Sequence, residues 1–356
     1  MSDGTLFRST RLGEMNLRNR IVMAPMTRCR AIGNVPSDLM QEYYSARAEA
    51  GLIITEGTSP SPNGLGYARI PGLFSEEQVQ GWRRVTTAVH NKGGKIFVQL
   101  MHTGRVGHPA NLPKGARLLA PSAVAAPGDM WTDEQGMQPH PQPEEMSKND
   151  INATIQEYVH ACRNGIEAGF DGVELHGANG YLIDQFLNTA SNQRTDDYGG
   201  NVANRIRFAI EVATACAEAI GGKRLGMRIS PYGVFNSMTP DDEMEALYTQ
   251  LCAALNEIDL LYIHVVDHSS MGAPEVHPAI KSKVRETFKG HYILSGGYDA
   301  ARANADLEQD KGDLVAFGRA FIANPDLVTK LRHDQALKTA EEATFYTPGP
   351  EGYTLI

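Results

Sequence analysis

Cysteine is scarce in this 356-residue chain. Cys29, Cys162, Cys216 and Cys252 are scattered and form no C-x-x-C pair. That leaves no basis for a disulfide framework, a structural zinc or an iron–sulfur cluster, and a reducing cytoplasm is the expected compartment. The eleven histidines include no H-x-H or H-E-x-x-H spacing, so no metal-ligating motif is present. Excess positive charge is also missing. Lys and Arg number 33 against 42 Asp and Glu, a net charge of −9, which argues against a general binder of nucleic acid or anionic membranes. No apolar run is long enough to span a bilayer, and Met1-Ser2-Asp3-Gly4 begins no signal-peptide core. There is no internal repeat and no low-complexity tract. A small molecule is the expected partner, acted on by a monomer or homodimer.

Present instead is enough apolar content, 42% against 21% charged, to bury a large core. Short runs rich in Val and Ile recur at 21–26, 52–56, 95–100, 172–176, 225–230, 260–266, 292–296 and 314–318. Each suits a parallel strand buried on both faces. Helix starts fall between them. Ser75 and Gln78 spell a capping box, and Asp150 is the expected cap of a helix with the stripe Ile151, Ile155, Tyr158, Cys162 and Ile166. Asn201 is a third candidate cap. Thr239-Pro240 and Asn324-Pro325 read as caps followed by proline in the first helical position. Eight strand–helix units predict one (β/α)8 barrel, an α/β fold, over residues 1–356. The competing doubly wound sheet should carry G-x-G-x-x-G after its first strand, where this chain has Ala24-Pro25-Met26-Thr27-Arg28. Residues 5–20 read as a β-hairpin plugging the barrel bottom. Residues 101–149, rich in Pro, Gly and His, read as a loop excursion over the active site.

Barrel enzymes place their chemistry at the C-terminal strand ends. Here those ends carry Thr27, Glu56-Gly57, Gln99, His176, Arg228, His264, Gly296-Gly297 and Gly318-Arg319. His176, Asn179 and Tyr181 follow one strand within a single turn, three hydrogen-bond donors suited to polarising a carbonyl and supplying a proton. The glycine pairs after strands seven and eight, with Arg319, suit a phosphate. Arg228 rises from an apolar strand and needs an anionic partner. Glu174 is one choice. The pyrimidine edge of a flavin, which Gln99 and Thr27 can also reach, is the other. His264 reads as a satisfied interior residue.

These motifs, taken together, resemble the old yellow enzyme family of FMN-dependent ene-reductases over nearly the whole chain. The resemblance is carried by Met23-Ala24-Pro25-Met26-Thr27-Arg28, Gln99-Leu100 and His176-Gly177-Ala178-Asn179-Gly180-Tyr181-Leu182. It continues in the run from Ser191 to Asn201, in Phe317-Gly318-Arg319, in Asn324-Pro325-Asp326-Leu327 and in Glu351-Gly352-Tyr353. It implies FMN held without a covalent bond, with Ala24, Pro25, Met26 and Thr27 along the ring and Gly57, Gln99 and Arg228 in contact with it. Gly296, Gly297, Gly318 and Arg319 would hold the phosphate. His176 and Asn179 would clamp the substrate oxygen, Tyr181 would donate the proton, and Tyr67, Met101 and Tyr346 would line the substrate pocket. NAD(P)H would be the hydride donor in a ping-pong reduction of enones, maleimides or nitroalkenes, with nitro compounds as further acceptors. Met101 stands where many bacterial relatives carry Trp. Thr27 places the chain in the threonine branch rather than the cysteine branch. Two other readings stay open at this point, a non-catalytic flavoprotein and a metal-dependent barrel lyase.

Overall fold

A computed structural model describes residues 4–356. A 3-10 turn at Thr5–Phe7 leads into the hairpin of β1 (Thr10–Leu12) and β2 (Met15–Leu17). Then come β3 (Ile21–Met23), β4 (Leu52–Thr58) and β5 (Ile96–Leu100). An excursion follows with β6 (Leu119–Ala120), β7 (Asp129–Thr132), β8 (Gly136–Pro139) and β9 (Glu144–Glu145). The remaining strands are β10 (Gly172–Gly177), β11 (Leu225–Ile229), β12 (Tyr262–Val265), β13 (His291–Leu294) and β14 (Leu314–Phe317). Eight of them, β3, β4, β5 and β10 to β14, pair in parallel and close on themselves with helices between, the predicted barrel.

The alternation of side chains along these strands explains both the core and the site. Ile96, Val98, Val173, Leu175, Leu225, Met227 and Ile263 face outward and pack against the helices. The inward face changes character along its length. At the bottom Val22, Leu52, Ile54, Phe97, Ile293 and Leu314 form an apolar plug, sealed by Leu12 and Leu17 of the hairpin. Two residues further along the same strands, Phe97 gives way to Gln99, Gly226 to Arg228 and Tyr262 to His264. The site is therefore the polar upper half of the inner face.

Three helix starts differ from the sequence expectation. The helix Lys148–Glu167 begins before Asp150. Ser147 is its cap, and Asp150 reaches back from the third position to close a capping box. Thr239-Pro240 caps no helix, because Asn188 holds the Thr239 carbonyl in a loop and the helix waits until Met244. Asn324 spends its side chain on Lys330 and the Lys338 amide, and Asp326 stands at the cap of Leu327–Arg332. The capping box at Ser75 forms as read, and Asn201 caps the short helix Val202–Arg205 ahead of Arg207–Ile220, each cap contributing ~1 kcal/mol.

The C-terminal segment crosses the top of the barrel. Arg28 and Arg30, both buried, donate to the backbone carbonyls of Thr344, Phe345, Gly349, Glu351 and Gly352. This clasp carries Phe345 and Tyr346 to the mouth of the site.

Candidate active site

One cavity of about 830 Å³ opens at the C-terminal strand ends. It is lined by Ala24, Pro25, Met26, Thr27, Gly57, Tyr67, Gln99, Met101, His176, Asn179, Tyr181, Arg228, Gly296, Gly297, Gly318, Arg319 and Tyr346. Every candidate catalytic, cofactor and substrate residue thus reaches the same space, while Glu56 and His264, also at strand ends, do not line it.

The loop after β10 builds the donor cluster. Asn179 adopts a left-handed backbone at φ 59°, held from behind by Ser230, whose Oγ accepts the Asn179 amide at 2.9 Å and donates to Asp184 at 3.1 Å. Asn236 donates to the Asn179 carbonyl. The side-chain Oδ1 of Asn179 accepts from His268 Nε2 at 3.0 Å, which leaves the amide nitrogen for the cavity. The His176 ring lies 5.0 Å from that of Tyr181, and its Nδ1 is buried without a partner. The hydroxyls of Tyr181 and Tyr67 meet at 2.9 Å.

Burial sets the charge of these groups. It pushes His176 well below the ordinary histidine range, with Arg228 acting in the same direction, and lowers His268 to about 4. Both rings are neutral near pH 7. Burial also raises the Tyr181 hydroxyl to about 12, so it retains its proton. A phenol that mimics an enolate oxygen is therefore expected to bind with a pH dependence set by its own ionisation, because His176 adds no step between pH 6 and 9. Replacing His176 by alanine should weaken that binding about tenfold, the value of one buried donor. Absorbance titration across pH checks both. Unchanged affinity in the variant would remove His176 from the clamp.

Arg228 is buried, and among the described residues no hydrogen bond or ion pair satisfies it; its Nε is left without a partner there. Glu174, one of the two partners the sequence left open for it, is taken by Gln99, Tyr262 and His264. His264 is satisfied at Nδ1 only, and its Nε2 has no partner. Gln99 gives its amide nitrogen to Glu174 at 2.7 Å and keeps its oxygen free. At the far end, Gly296 and Gly297 turn at φ 116° and 62°, where a Cβ would strike Asp267 and Ser270. Arg319 stands exposed beside Glu342 at 3.2 Å. An uncompensated guanidinium, a free amide oxygen and a glycine-lined cradle in one apolar cavity fit FMN. Bound there, FMN would have Arg228, Gln99 and Thr27 available for its pyrimidine edge and Gly296, Gly297, Gly318 and Arg319 for its phosphate.

The structure also adds residues that sequence reasoning missed. His268, Ser230 and Asn236 brace Asn179 from elsewhere in the chain, and Asp184, in the helix just after it, holds Ser230 and the Gly180 amide. The 101–149 excursion contributes the hairpin of β7 and β8, whose Met130, Trp131 and Met137 line the mouth. Among the described residues no three His, Cys, Asp or Glu side chains gather to hold a metal. Nor is any described helix long and apolar enough to cross a membrane.

A barrel with this cradle and donor cluster defines a flavin-dependent oxidoreductase. Residues 5–338 match the NADH:flavin oxidoreductase / NADH oxidase family, and the chain belongs to it. It is 43% identical over 349 residues to a probable flavin mononucleotide-dependent alkene reductase of Leishmania infantum, covering 96% of this chain and 94% of that protein. It is 38% identical to 12-oxophytodienoate reductase 7 of Oryza sativa subsp. japonica, covering 98% and 93%. Morphinone reductase superposes with a TM-score of 0.94 at 41% identity, covering 99% of this chain and 96% of that one. The old yellow enzyme homologue from Zymomonas mobilis does so at 0.93 and 38%, covering 98% of each. The resemblance read from the sequence holds.

Proposed function

We propose that this chain is an FMN-dependent ene-reductase, using NAD(P)H to reduce alkenes activated by a carbonyl or nitro group. The observation that carries the reading is the set of buried His176 and Tyr181 with half-buried Asn179, neutral donors facing the same cavity as the unpartnered Arg228. When bound, FMN would supply the two-electron redox chemistry that links NAD(P)H to the alkene. The residues do the rest. His176 and the Asn179 amide hold the oxygen of the activating group and favour the charge that builds there. Tyr181, its hydroxyl kept protonated and aligned by Tyr67, gives a proton to the α-carbon. Arg228 supports negative charge on the pyrimidine edge.

The rim of the cavity bears on substrate shape. Trp131, Met137, Phe235, Met271 and Tyr346 are all large, apolar and exposed, and all line this one opening. Such a patch favours alkenes carrying an apolar body beyond the reacting bond. Four free, buried cysteines suit a reducing cytoplasm. We take the enzyme to work there as a monomer or homodimer.

The test needs one anaerobic cuvette. The purified protein should be yellow, bleach with NADH or NADPH, and regain its colour with 2-cyclohexenone. Bleaching without recovery on any activated alkene would make it an electron carrier. A colourless protein that FMN cannot reconstitute would overturn the reading.

A further inference from the structure

A fully buried carboxylate lies beneath the cavity, and the reaction outlined above does not use it. Glu174 sits two residues before His176 on β10, on the same inward face, with no exposure to solvent. Three donors converge on it. Gln99 Nε2 reaches Oε1 at 2.7 Å, while the Tyr262 hydroxyl and His264 Nδ1 reach Oε2 at 3.1 and 2.9 Å. Room for this was made in the sequence. A Cβ at Gly226 would lie 2.3 Å from Cζ of Tyr262, so only glycine there lets the phenol cross β11 to the carboxylate.

Stability alone does not account for the arrangement. The layer beneath is apolar, and a buried ion costs several kcal/mol that well-packed hydrophobic residues avoid. Burial opposes the charge on Glu174, but His264, Arg228 and Gln99 outweigh it and keep the carboxyl below its ordinary range. Burial holds His264 below its own, and its unpartnered Nε2 is consistent with a neutral ring donating through Nδ1. The cluster therefore carries one negative charge, and the positive charge it faces is Arg228.

We propose that Glu174 is a positioning residue for the flavin. It fixes the Gln99 amide with its oxygen toward the cavity and offsets part of the charge of Arg228, and so sets the reduction potential of bound FMN. The inference rests on the FMN reading, but a yellow wild-type protein that bleaches and recovers settles that reading separately. With Glu174→Gln, the offset to Arg228 is gone and the potential should become more positive. The new amide keeps its oxygen on Tyr262 and His264 and presents its NH2 to Gln99, whose oxygen it draws away from the cavity. Gln99 then turns its NH2 toward the N3–H of the ring, and FMN affinity should fall about tenfold. Tyr262→Phe keeps the packing but removes one donor from Glu174. The less-satisfied carboxylate then opposes Arg228 more strongly, so the potential should become more negative with FMN affinity near wild type.

Potentials are measured on the holoenzymes by dye-equilibrated reduction, and affinities by flavin fluorescence. Shifts of opposite sign support the proposal. Equal potentials, or shifts of the same sign in both variants, overturn it. If Glu174→Gln retains no flavin, Tyr262→Phe decides alone, a negative shift supporting the proposal and any other result overturning it.

Discussion

Replacing Tyr181 by phenylalanine is expected to slow the return of flavin absorbance with an enone about 10²–10⁴-fold, the range for losing a positioned general acid. The bleaching step with NADH should change far less. The asymmetry follows from what each half-reaction needs. Transfer to a carbon–carbon double bond ends with a proton on the α-carbon, and among the cavity residues Tyr181 is placed to give one. Its hydroxyl is within 2.9 Å of Tyr67, beside His176, with burial keeping the proton on oxygen until a carbanionic centre calls for it. Oxidation of a nicotinamide has no such demand. The substitution removes one oxygen and leaves the ring in its place, so packing against Met101 and Val106 persists. Rapid-mixing spectroscopy of the two half-reactions checks this. Equal slowing of both, or of neither, would take the proton-donor role away from Tyr181.

The barrel was legible because its signal is local. Buried parallel strands read as short apolar runs, and all eight lie where those runs are. Most candidate site residues stand at or just after a strand end, which is a local feature too, whereas Tyr67 and Tyr346 come from loops. Less visible was what connects them. Glu174 and Tyr262 are 88 residues apart, and Asn179 and His268 are 89 apart. Only the register of the closed sheet brings them together. Arg28 and Arg30 gave no hint that their partners lie more than 310 residues onward in the C-terminal segment. The helix starts show a different limit. A cap depends on which nearby group competes for it, and Asn188 and Lys330 reach Thr239 and Asn324 from outside the dipeptides that suggested caps. At 147–150 the residues of the capping box are present in the sequence, but aspartate favours both the cap and the third position, so Asp150 masks Ser147. The mouth of the cavity was hardest to foresee, because the 129–139 hairpin sits in a stretch without periodicity.

Arg228→Met should bind FMN more weakly and make it harder to reduce. The guanidinium is nearly excluded from water, no side chain neutralises it directly, and the nearest carboxylate is occupied by three other donors. Isolated buried charge of this kind is destabilising unless a ligand completes it. Completion is strongest when the ligand is itself negative, so Arg228 favours the reduced flavin over the oxidised one. A hydrogen bond to a charged group is worth roughly 1.5–3 kcal/mol. On a two-electron couple that difference corresponds to about 30–60 mV toward more negative potential. Methionine matches the aliphatic length and leaves no unsatisfied donor, so the apoprotein should fold at least as stably as wild type. This separates the two roles an interior arginine can play. A structural arginine would lower the melting temperature and leave the potential alone, whereas a flavin-facing one should do the reverse. Thermal melting of the apoprotein and reductive titration of the holoprotein distinguish them, and an unchanged potential would return Arg228 to the structural role.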